Sequence, residues 1–205
     1  MKQLKYILLC GIVFQTTLIY AQETSEYIEF DDSKNVVNGV YLGLNFAYGE
    51  MGGESTYLGG VTIAYVANKK FEVGFTGVGF YSEQNSKGLL TNNDVFGGYG
   101  GFHLEPIFFG ASKWGLSIPL LIGGGAIAYA NKDLDDIIDY GNGEIQEWEP
   151  FFVFEPGLSV QYNISRYLQF EMGLKYRLSS EFELYPGGLQ NINGFSAGLG
   201  IKVGI

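Results

Sequence analysis

The residues of this chain that could do chemistry stand at alternate positions along extended segments. His103, the only histidine, is two residues from Glu105, so the two side chains share one side of a strand. A histidine beside a carboxylate can act as a general base, but catalysis also requires a nucleophile at a face that substrate can reach. That side is the predicted interior of the fold, and a single histidine cannot form a two-histidine metal motif. We therefore expect no enzyme, no metal ion and no cofactor.

Charged residues of both signs share this predicted interior. They are Glu72, His103, Glu105, Glu155, Glu171, Lys175, Arg177 and Lys202. Charges in a narrow interior must be paired or hydrated. We expect a plug of salt bridges in which Glu171 pairs with Lys202. Glu155 should pair with Lys175 or Arg177, and the alternative is a proton- or ion-conducting path gated by rearranging these pairs.

A second group of charges is almost wholly acidic and lies in one long connection. Its members are Asp133, Asp135, Asp136, Asp139, Glu144, Glu147 and Glu149, against Lys132 alone. This segment lacks the glycine and the ligand spacing of a calcium loop. We expect a solvated external loop in which Ile137, Ile138 and Trp148 pack over the mouth of the fold or against a protein partner at the cell surface.

The elements that position these side chains are predicted from a strict two-residue period. From Leu168 to Leu178 every second residue is apolar, and the residues between them are polar or glycine; the segment from Phe195 to Ile205 repeats the pattern. One face suits hydrocarbon and the other suits water, which is typical of a transmembrane β-barrel. The alternative is a soluble barrel, which would turn its apolar face inward.

The same test applied to the whole chain predicts an all-β, antiparallel, up-and-down barrel of eight strands. The strands are expected near 38–49, 55–67, 70–81, 95–109, 113–129, 150–163, 166–179 and 193–205. Short periplasmic turns should alternate with long external loops at roughly 50–54, 82–94, 130–149 and 180–192. Pro106, Pro119 and Pro156 fall inside predicted strands and indicate bulges or bends.

The amino terminus indicates export. Lys2 and Lys5 precede an apolar run that ends at Ala21, so residues 1–21 are predicted to be a cleaved signal peptide. Residues 22–37 would then form a periplasmic segment and 38–205 the barrel. Without the leader, 10 Lys and Arg face 22 Asp and Glu, a net charge of −12, which argues against nucleic acid as a partner.

Several short motifs resemble a known group of proteins. They are Leu104-Glu105-Pro106, the segment 117–123, Phe154-Glu155-Pro156-Gly157 and the segment 200–205. With them, the chain resembles small, uncharacterised outer-membrane β-barrel proteins of Bacteroidota. The resemblance implies an outer-membrane location and lipid as a partner, and it transfers no catalytic residue. The end of the chain also looks like the signal read by the outer-membrane insertion machinery, although Ile205 stands where an aromatic residue is usual.

These observations favour an integral outer-membrane barrel with a plugged lumen and a structural or surface-interaction role. Function on such a scaffold resides in loops and lumen rather than in the strands themselves. Two alternatives remain open from the sequence: a pore for ions or small solutes, and a lipid-modifying outer-membrane enzyme that uses His103.

Overall fold

The computed structural model describes residues 38–84, 93–130, 148–165, 167–182 and 189–204. These residues form nine antiparallel β-strands and no helix. The strands are β1 (Gly39–Met51), β2 (Glu54–Ala67), β3 (Phe71–Gln84), β4 (Asn93–Phe108), β5 (Trp114–Ser117), β6 (Leu120–Ala130), β7 (Glu149–Asn163), β8 (Leu168–Ser179) and β9 (Gly194–Gly204). Among the described residues, no helix is long and apolar enough to cross a bilayer.

The sheet closes into a ring. Apart from β5 and β6, strands adjacent in sequence pair with each other, and β1 also pairs with β9 from Tyr41 opposite Gly204 to Gly49 opposite Ser196. The short strands β5 and β6 both lie between β4 and β7, so together they occupy a single position in the ring. Nine strands thus fill eight positions. The predicted up-and-down antiparallel barrel is confirmed, and the predicted fifth strand, 113–129, is divided into β5 and β6.

Side chains alternate between the lumen and the outer surface with the predicted parity. In the first three strands the apolar residues at alternate positions are exposed. These residues are Val40, Leu42, Leu44, Phe46, Tyr48, Tyr57, Val61, Ile63, Tyr65, Phe71, Val73 and Phe75. The ionised groups face the lumen instead, where Glu72, Glu105 and Glu155 are buried. This polarity is opposite to that of a soluble barrel and suits a hydrocarbon environment.

Aromatic side chains pair on the outer surface near both ends of the barrel. The rings of Tyr48 and Tyr57 meet edge to face at 5.5 Å near one end, and those of Trp114 and Tyr162 lie 4.6 Å apart near the other. These pairs belong to two aromatic girdles, one near each end of the barrel. Such girdles are typical of barrels at the two lipid–water interfaces.

The prolines interrupt the wall at one place. They lie at neighbouring ring positions, and they are Pro106 in β4, Pro119 between β5 and β6, and Pro156 in β7. β5 ends at Ser117 and β6 begins at Leu120, yet both strands keep one register against β4 and β7. Of the predicted bulges or bends, a bulge is excluded at Pro119: proline cannot donate to the ladder and the strand breaks there, but no extra residue is inserted.

The connections at the two ends differ in length. We call the lower end the one that carries the connections 68–70, 109–113 and 164–167, and the upper end the one that carries 52–53, 85–92, 131–148 and 180–193. The first upper connection is shorter than the predicted 50–54. Gly52 and Gly53 form a two-residue turn with φ of 62° and 87°, because the strands pair up to Met51 opposite Glu54.

Some predicted segments lie outside the described residues. These are the leader at 1–21, the segment 22–37 and the part of the acidic connection from Asp133 to Glu147. Glu149, assigned to that connection from the sequence, is instead the first residue of β7 and pairs with Ile127.

Candidate functional site

Lys202 lies at the centre of a group of charges in the lower half of the lumen. Its Nζ is 2.9 Å from Oε2 of Glu72, 3.0 Å from Oε2 of Glu105 and 2.9 Å from Oε2 of Glu171. The three glutamates come from β3, β4 and β8, and Lys202 comes from β9. One ammonium group therefore joins four strands across the lumen. The structure contains the predicted Glu171–Lys202 pair and adds two carboxylates to it.

His103 completes this group. Its Nε2 lies 2.9 Å from Oε2 of Glu105 and 3.8 Å from Oε2 of Glu72, and its side chain is 8% exposed. We define the charge cluster as Glu72, His103, Glu105, Glu171 and Lys202. Within it, three carboxylates face one ammonium, so the cluster carries an excess of negative charge whether His103 is neutral or protonated.

Amide side chains connect the charge cluster with the lower end of the barrel. Gln161 donates from Nε2 to Oε1 of Glu105 at 2.7 Å. Gln169 donates from Nε2 to Oδ1 of Asn163 at 2.8 Å, and its contact with Oε1 of Gln161 is longer, at 3.4 Å. The lower half of the lumen is therefore polar from the charge cluster to the connections that close it.

Glu155 belongs to a separate, smaller group above the charge cluster. The hydroxyl of Tyr99 donates to its Oε2 at 2.5 Å, and Nζ of Lys175 lies 3.9 Å from its Oε1. The sequence left Lys175 and Arg177 open as partners of Glu155, and the structure pairs it with Lys175. The separation is too long for a direct hydrogen bond, so this contact is a charge pair only.

Arg177 does not belong to a salt-bridge network, which corrects its assignment to the charged plug. Among the described residues its side chain forms no ion pair with a carboxylate. It is fully buried, and it donates from Nε to the carbonyl of Ile192 at 2.7 Å and from Nη2 to the carbonyl of Glu50 at 3.3 Å. Both carbonyls belong to upper connections or strand ends, so Arg177 fixes backbone at the mouth of the barrel.

The upper half of the lumen is filled mainly by apolar side chains, with buried Thr56, Ser82 and Arg177 among them, and the sequence analysis did not predict this packing. We call this group the apolar cluster. Its members are Met51, Leu58, Val78, Phe80, Val95, Tyr99, Leu121, Ile127, Phe151, Val153, Phe182 and Ile192. The rings of Phe80, Tyr99 and Phe151 pack with centroids 6.1 to 6.5 Å apart. Aromatic packing at such distances adds to the effect of burial.

The connection between β8 and β9 supplies two members of the apolar cluster from above. Phe182 is 8% exposed and Ile192 is fully buried. The two ends of this connection are joined by a backbone hydrogen bond from the N–H of Phe182 to the carbonyl of Gln190 at 2.9 Å. The N–H of Ile192 also donates to Oγ of Ser179 at 2.9 Å. The described part of this connection is thus anchored over the mouth of the lumen.

A signal for the apolar cluster was present in the sequence. In the upper parts of β2 and β3 the inward set includes Leu58, Val78 and Phe80, so both faces of these segments are apolar. When both faces of a strand are apolar, one face contacts lipid and the other packs against further side chains of the protein. The alternation test weighs only the contrast between faces, and it therefore missed these residues.

A small cavity lies inside the barrel between the charge cluster and the apolar cluster. Its volume is about 50 Å³, and its lining includes Tyr41, Thr62, His103, Glu155 and Lys175. This volume has room for a few waters. The cavity is therefore a pocket in the lumen and has polar side chains from both charged groups along its wall.

One motif of potential catalytic interest does not form a catalytic site. Residues 194–198 match the pattern Gly-x-Ser-x-Gly, with Ser196 at its centre. In an esterase-type enzyme this serine sits on a sharp turn between a strand and a helix, but here it lies within β9 and faces the lumen. It is six residues, or about 20 Å, along the strand from Lys202, which adjoins His103. Ser196 and His103 therefore do not form a nucleophile–base pair.

The comparisons with known proteins bear on the fold. No family model and no curated protein matches the sequence. Neisserial surface protein A has a similar structure, with a TM-score of 0.52 and 13% identity over 82% of this chain and 98% of that protein. Ail, the attachment invasion locus protein of Yersinia pestis, gives 0.46 at 13% identity over 82% and 97%. The outer-membrane protein OprG of Pseudomonas aeruginosa gives 0.47 at 13% identity over 82% and 95%. The likeness to Neisserial surface protein A shows that this chain shares that protein's fold.

Proposed function

We propose that this protein is an integral outer-membrane barrel whose lumen is sealed at its outer end and whose external connections act as a contact surface. It is not an enzyme and does not conduct ions. The upper end faces the outside of the cell and the lower end faces the periplasm. The single observation that carries the proposal is the apolar cluster, which fills the lumen below the upper mouth.

The outer surface supports the membrane location. Large apolar side chains are exposed on every long strand, and Phe46, Phe152 and Met172 are exposed by 73%, 78% and 64%. A continuous apolar belt of this extent on a soluble monomer would be an aggregation liability. In a bilayer the same belt lies in hydrocarbon, where strands of a closed barrel satisfy their backbone hydrogen bonds within the ring.

The packing inside the barrel supports the absence of conduction. An eight-stranded barrel has an interior that side chains can fill. Above the cavity, the ring of Phe151 packs against those of Phe80 and Phe182, at centroid distances of 6.5 Å and 5.9 Å. An ion at this level would lose its hydration without gaining ligands, which is costly.

The position of His103 opposes a lipid-modifying role. A base that acts on lipid must reach the outer surface or a rim, whereas His103 lies in the lumen and is 6% exposed. Its ring nitrogen contacts two carboxylates and an ammonium group lies beside them. These neighbours give it a role in charge balance.

Planar-bilayer recordings test the seal. The refolded full-length protein should give no steady single-channel openings, and Phe151→Ala combined with Phe80→Ala should produce them by removing two rings from the apolar cluster. Phe152→Ala is the matched control, because Phe152 is the next residue and points outward. Steady openings of the unmodified protein would establish the pore and overturn the proposal.

The contact-surface role needs a separate test. Photo-cross-linking residues placed in the connection 131–147 should capture a defined protein from intact cells. The same residues placed in the lower connection 109–113 serve as the control. A cross-linked species that forms only from the upper connection supports the proposal, and equal capture from both ends, or none from either, contradicts it.

A further inference from the structure

We propose that the charge cluster binds a divalent first-row transition-metal ion, with Glu72, His103 and Glu105 as its protein ligands and Zn²⁺ as the probe. One potential ligand atom from each of these residues lies within 4.8 Å of the other two. Imidazole nitrogen and carboxylate oxygen are common ligands of such ions. This site goes beyond the proposed function and does not depend on whether the upper mouth is sealed.

The distances between the ligand atoms suit a compact coordination sphere. Nε2 of His103 is 2.9 Å from Oε2 of Glu105 and 3.8 Å from Oε2 of Glu72. Around a tetrahedral Zn²⁺ with bonds of about 2.0–2.1 Å, ligand atoms are about 3.3–3.4 Å apart. The observed separations lie on both sides of that value. The third separation, between the carboxylate oxygens of Glu72 and Glu105, is no more than 4.8 Å, so shifts of up to about 1.5 Å would bring the three atoms to tetrahedral spacing.

The charge balance of the cluster favours an additional cation. Three buried or partly buried carboxylates face the single ammonium of Lys202, which leaves two negative charges when His103 is neutral. Uncompensated charge is costly in a lumen that contains little water. A divalent ion supplies the two missing charges. Because the four-carbon side chain of Lys202 is flexible, its ammonium can move away from Glu72 and Glu105 when the ion binds and remain paired with Glu171.

Two hydroxyl groups give an independent indication of a ligand. Within the described part of the chain, three buried side-chain atoms have no partner of good hydrogen-bond geometry: Nη1 of Arg177, which lies apart at the upper mouth, and the hydroxyls of Tyr41 and Ser117, which lie beside Glu72 and Glu105. Tyr41 lines the cavity together with His103, Glu105 and Lys202, and its ring lies 5.0 Å from Nζ of Lys202. Ser117 pairs in register with Ser159, which donates to Glu171. A water on an open coordination position of the ion would give such hydroxyls a partner.

The route to the site leads from the lower end. The polar amides of Gln161, Gln169 and Asn163 extend from Glu105 to the lower connections. The apolar cluster closes the opposite side. In the proposed orientation the ion would therefore come from the periplasm, and the external medium would not reach it through the lumen.

Metal binding to the tag-free, full-length protein refolded in detergent tests the site. Titration of Zn²⁺ against a chromophoric chelator should show one equivalent bound, and Co²⁺ should give visible d–d absorption bands typical of nitrogen and oxygen ligands. His103→Gln should weaken Zn²⁺ binding at least tenfold. Lys202→Met should strengthen it at least tenfold, because it removes the competing cation.

Lys175→Met is the matched control for the lysine variant. Lys175 also lies in the lumen beside a carboxylate but is outside the charge cluster, so its loss should leave Zn²⁺ affinity unchanged. Heat-modifiable migration identifies variants that have not folded, and the Co²⁺ spectrum of the unmodified protein provides a readout that needs no variant. Absence of a bound equivalent and of Co²⁺ bands overturns the site. Binding that survives His103→Gln unchanged overturns it as well, because the ion would then be held elsewhere.

This outcome is separable from that of the proposed function. The metal assay reports the lower half of the lumen, and the conductance assay reports the upper half. A conducting protein that binds Zn²⁺ would refute the seal and keep the site. A protein that neither conducts ions nor binds Zn²⁺ would support the seal and refute the metal site.

Discussion

The upper and lower halves of the lumen occupy the same narrow ring but are filled by different chemistry. The upper half holds aromatic and aliphatic side chains, with Phe151 and Ile127 at 4% and 0% exposure. The lower half holds three carboxylates and one imidazole arranged around the ammonium of Lys202. Apolar filling tolerates small shifts in position, because the hydrophobic effect has no direction. A buried charge cluster requires every partner, and the loss of one leaves charge uncompensated.

The largest effect is expected from Lys202→Met in the lower half. It leaves three carboxylates around an apolar side chain and should lower the free energy of unfolding by about 3–5 kcal/mol. Lys175→Met, at a longer and more exposed contact, should cost less than about 1 kcal/mol. Urea unfolding of both proteins in detergent measures the difference. Equal losses would remove the distinction between the charge cluster and the rest of the lumen.

Phe151→Ala is the corresponding change in the upper half. Loss of a buried ring should lower the free energy of unfolding by about 3–5 kcal/mol. Phe152→Ala removes a ring of the same size from the outer surface and should have a much smaller effect. Intrinsic fluorescence during denaturant titration follows both variants. If Phe152→Ala proved the more damaging, the assignment of inside and outside would be wrong.

The distinction between lumen and outer surface can be tested at Leu174, which is 61% exposed. Leu174→Arg places a charge near the middle of the apolar belt and should cost about 2–4 kcal/mol in a bilayer. Leu174→Met is the control for loss of the native side chain. Reversible folding into phospholipid vesicles measures the free energy of unfolding of the two variants and of the unmodified protein. An arginine without cost at this position would favour a soluble barrel.

A double-mutant cycle on Glu171 and Lys202 sharpens the description of the lower half. Glu171→Gln in the Lys202→Met background should cost less than in the unmodified protein, with a coupling free energy of about 0.5–3 kcal/mol. The reason is that Glu171 has lost its ammonium partner in that background. Additive losses in unfolding measurements would show that the two residues act independently.

The smallest effect is expected from deletion of residues 131–147. The strands and the lower connections hold the barrel together, so folding and heat-modifiable migration should remain unchanged. Gel migration after refolding measures this directly. A protein that no longer folds would show that the division between barrel and upper connections is not valid.

Much of the barrel was predictable from the sequence because the alternation of side chains between the two faces depends only on position along one strand. The outward set from Val40 to Phe75 follows from alternation alone, since successive side chains of a strand must point to opposite faces. The pairing of Glu171 with Lys202 was also accessible, because β8 and β9 are neighbours and the charges are opposite. The location, the leader and the Bacteroidota resemblance remain predictions.

The rest depends on contacts between distant parts of the chain. Arg177 was expected to pair with a carboxylate, but its partners are the backbone carbonyls of Glu50 and Ile192. Because every residue has a backbone carbonyl, the sequence does not indicate which one accepts this hydrogen bond. The convergence of Glu72 and Glu105 on Lys202 depends on the tilt and stagger of the closed ring. Alternation along one strand contains no information about that stagger.

The seam between β1 and β9 has a consequence for how the molecule forms. Tyr41 pairs with Gly204, so the ring closes through residues from opposite ends of the barrel sequence. Contacts this far apart along the chain make folding slow, because a long loop must be ordered before the contact contributes. Until the last strand is in place, the open sheet has two unpaired edges, and such edges readily join other strands. Closure of the seam is therefore the step at which the chain ceases to be prone to association.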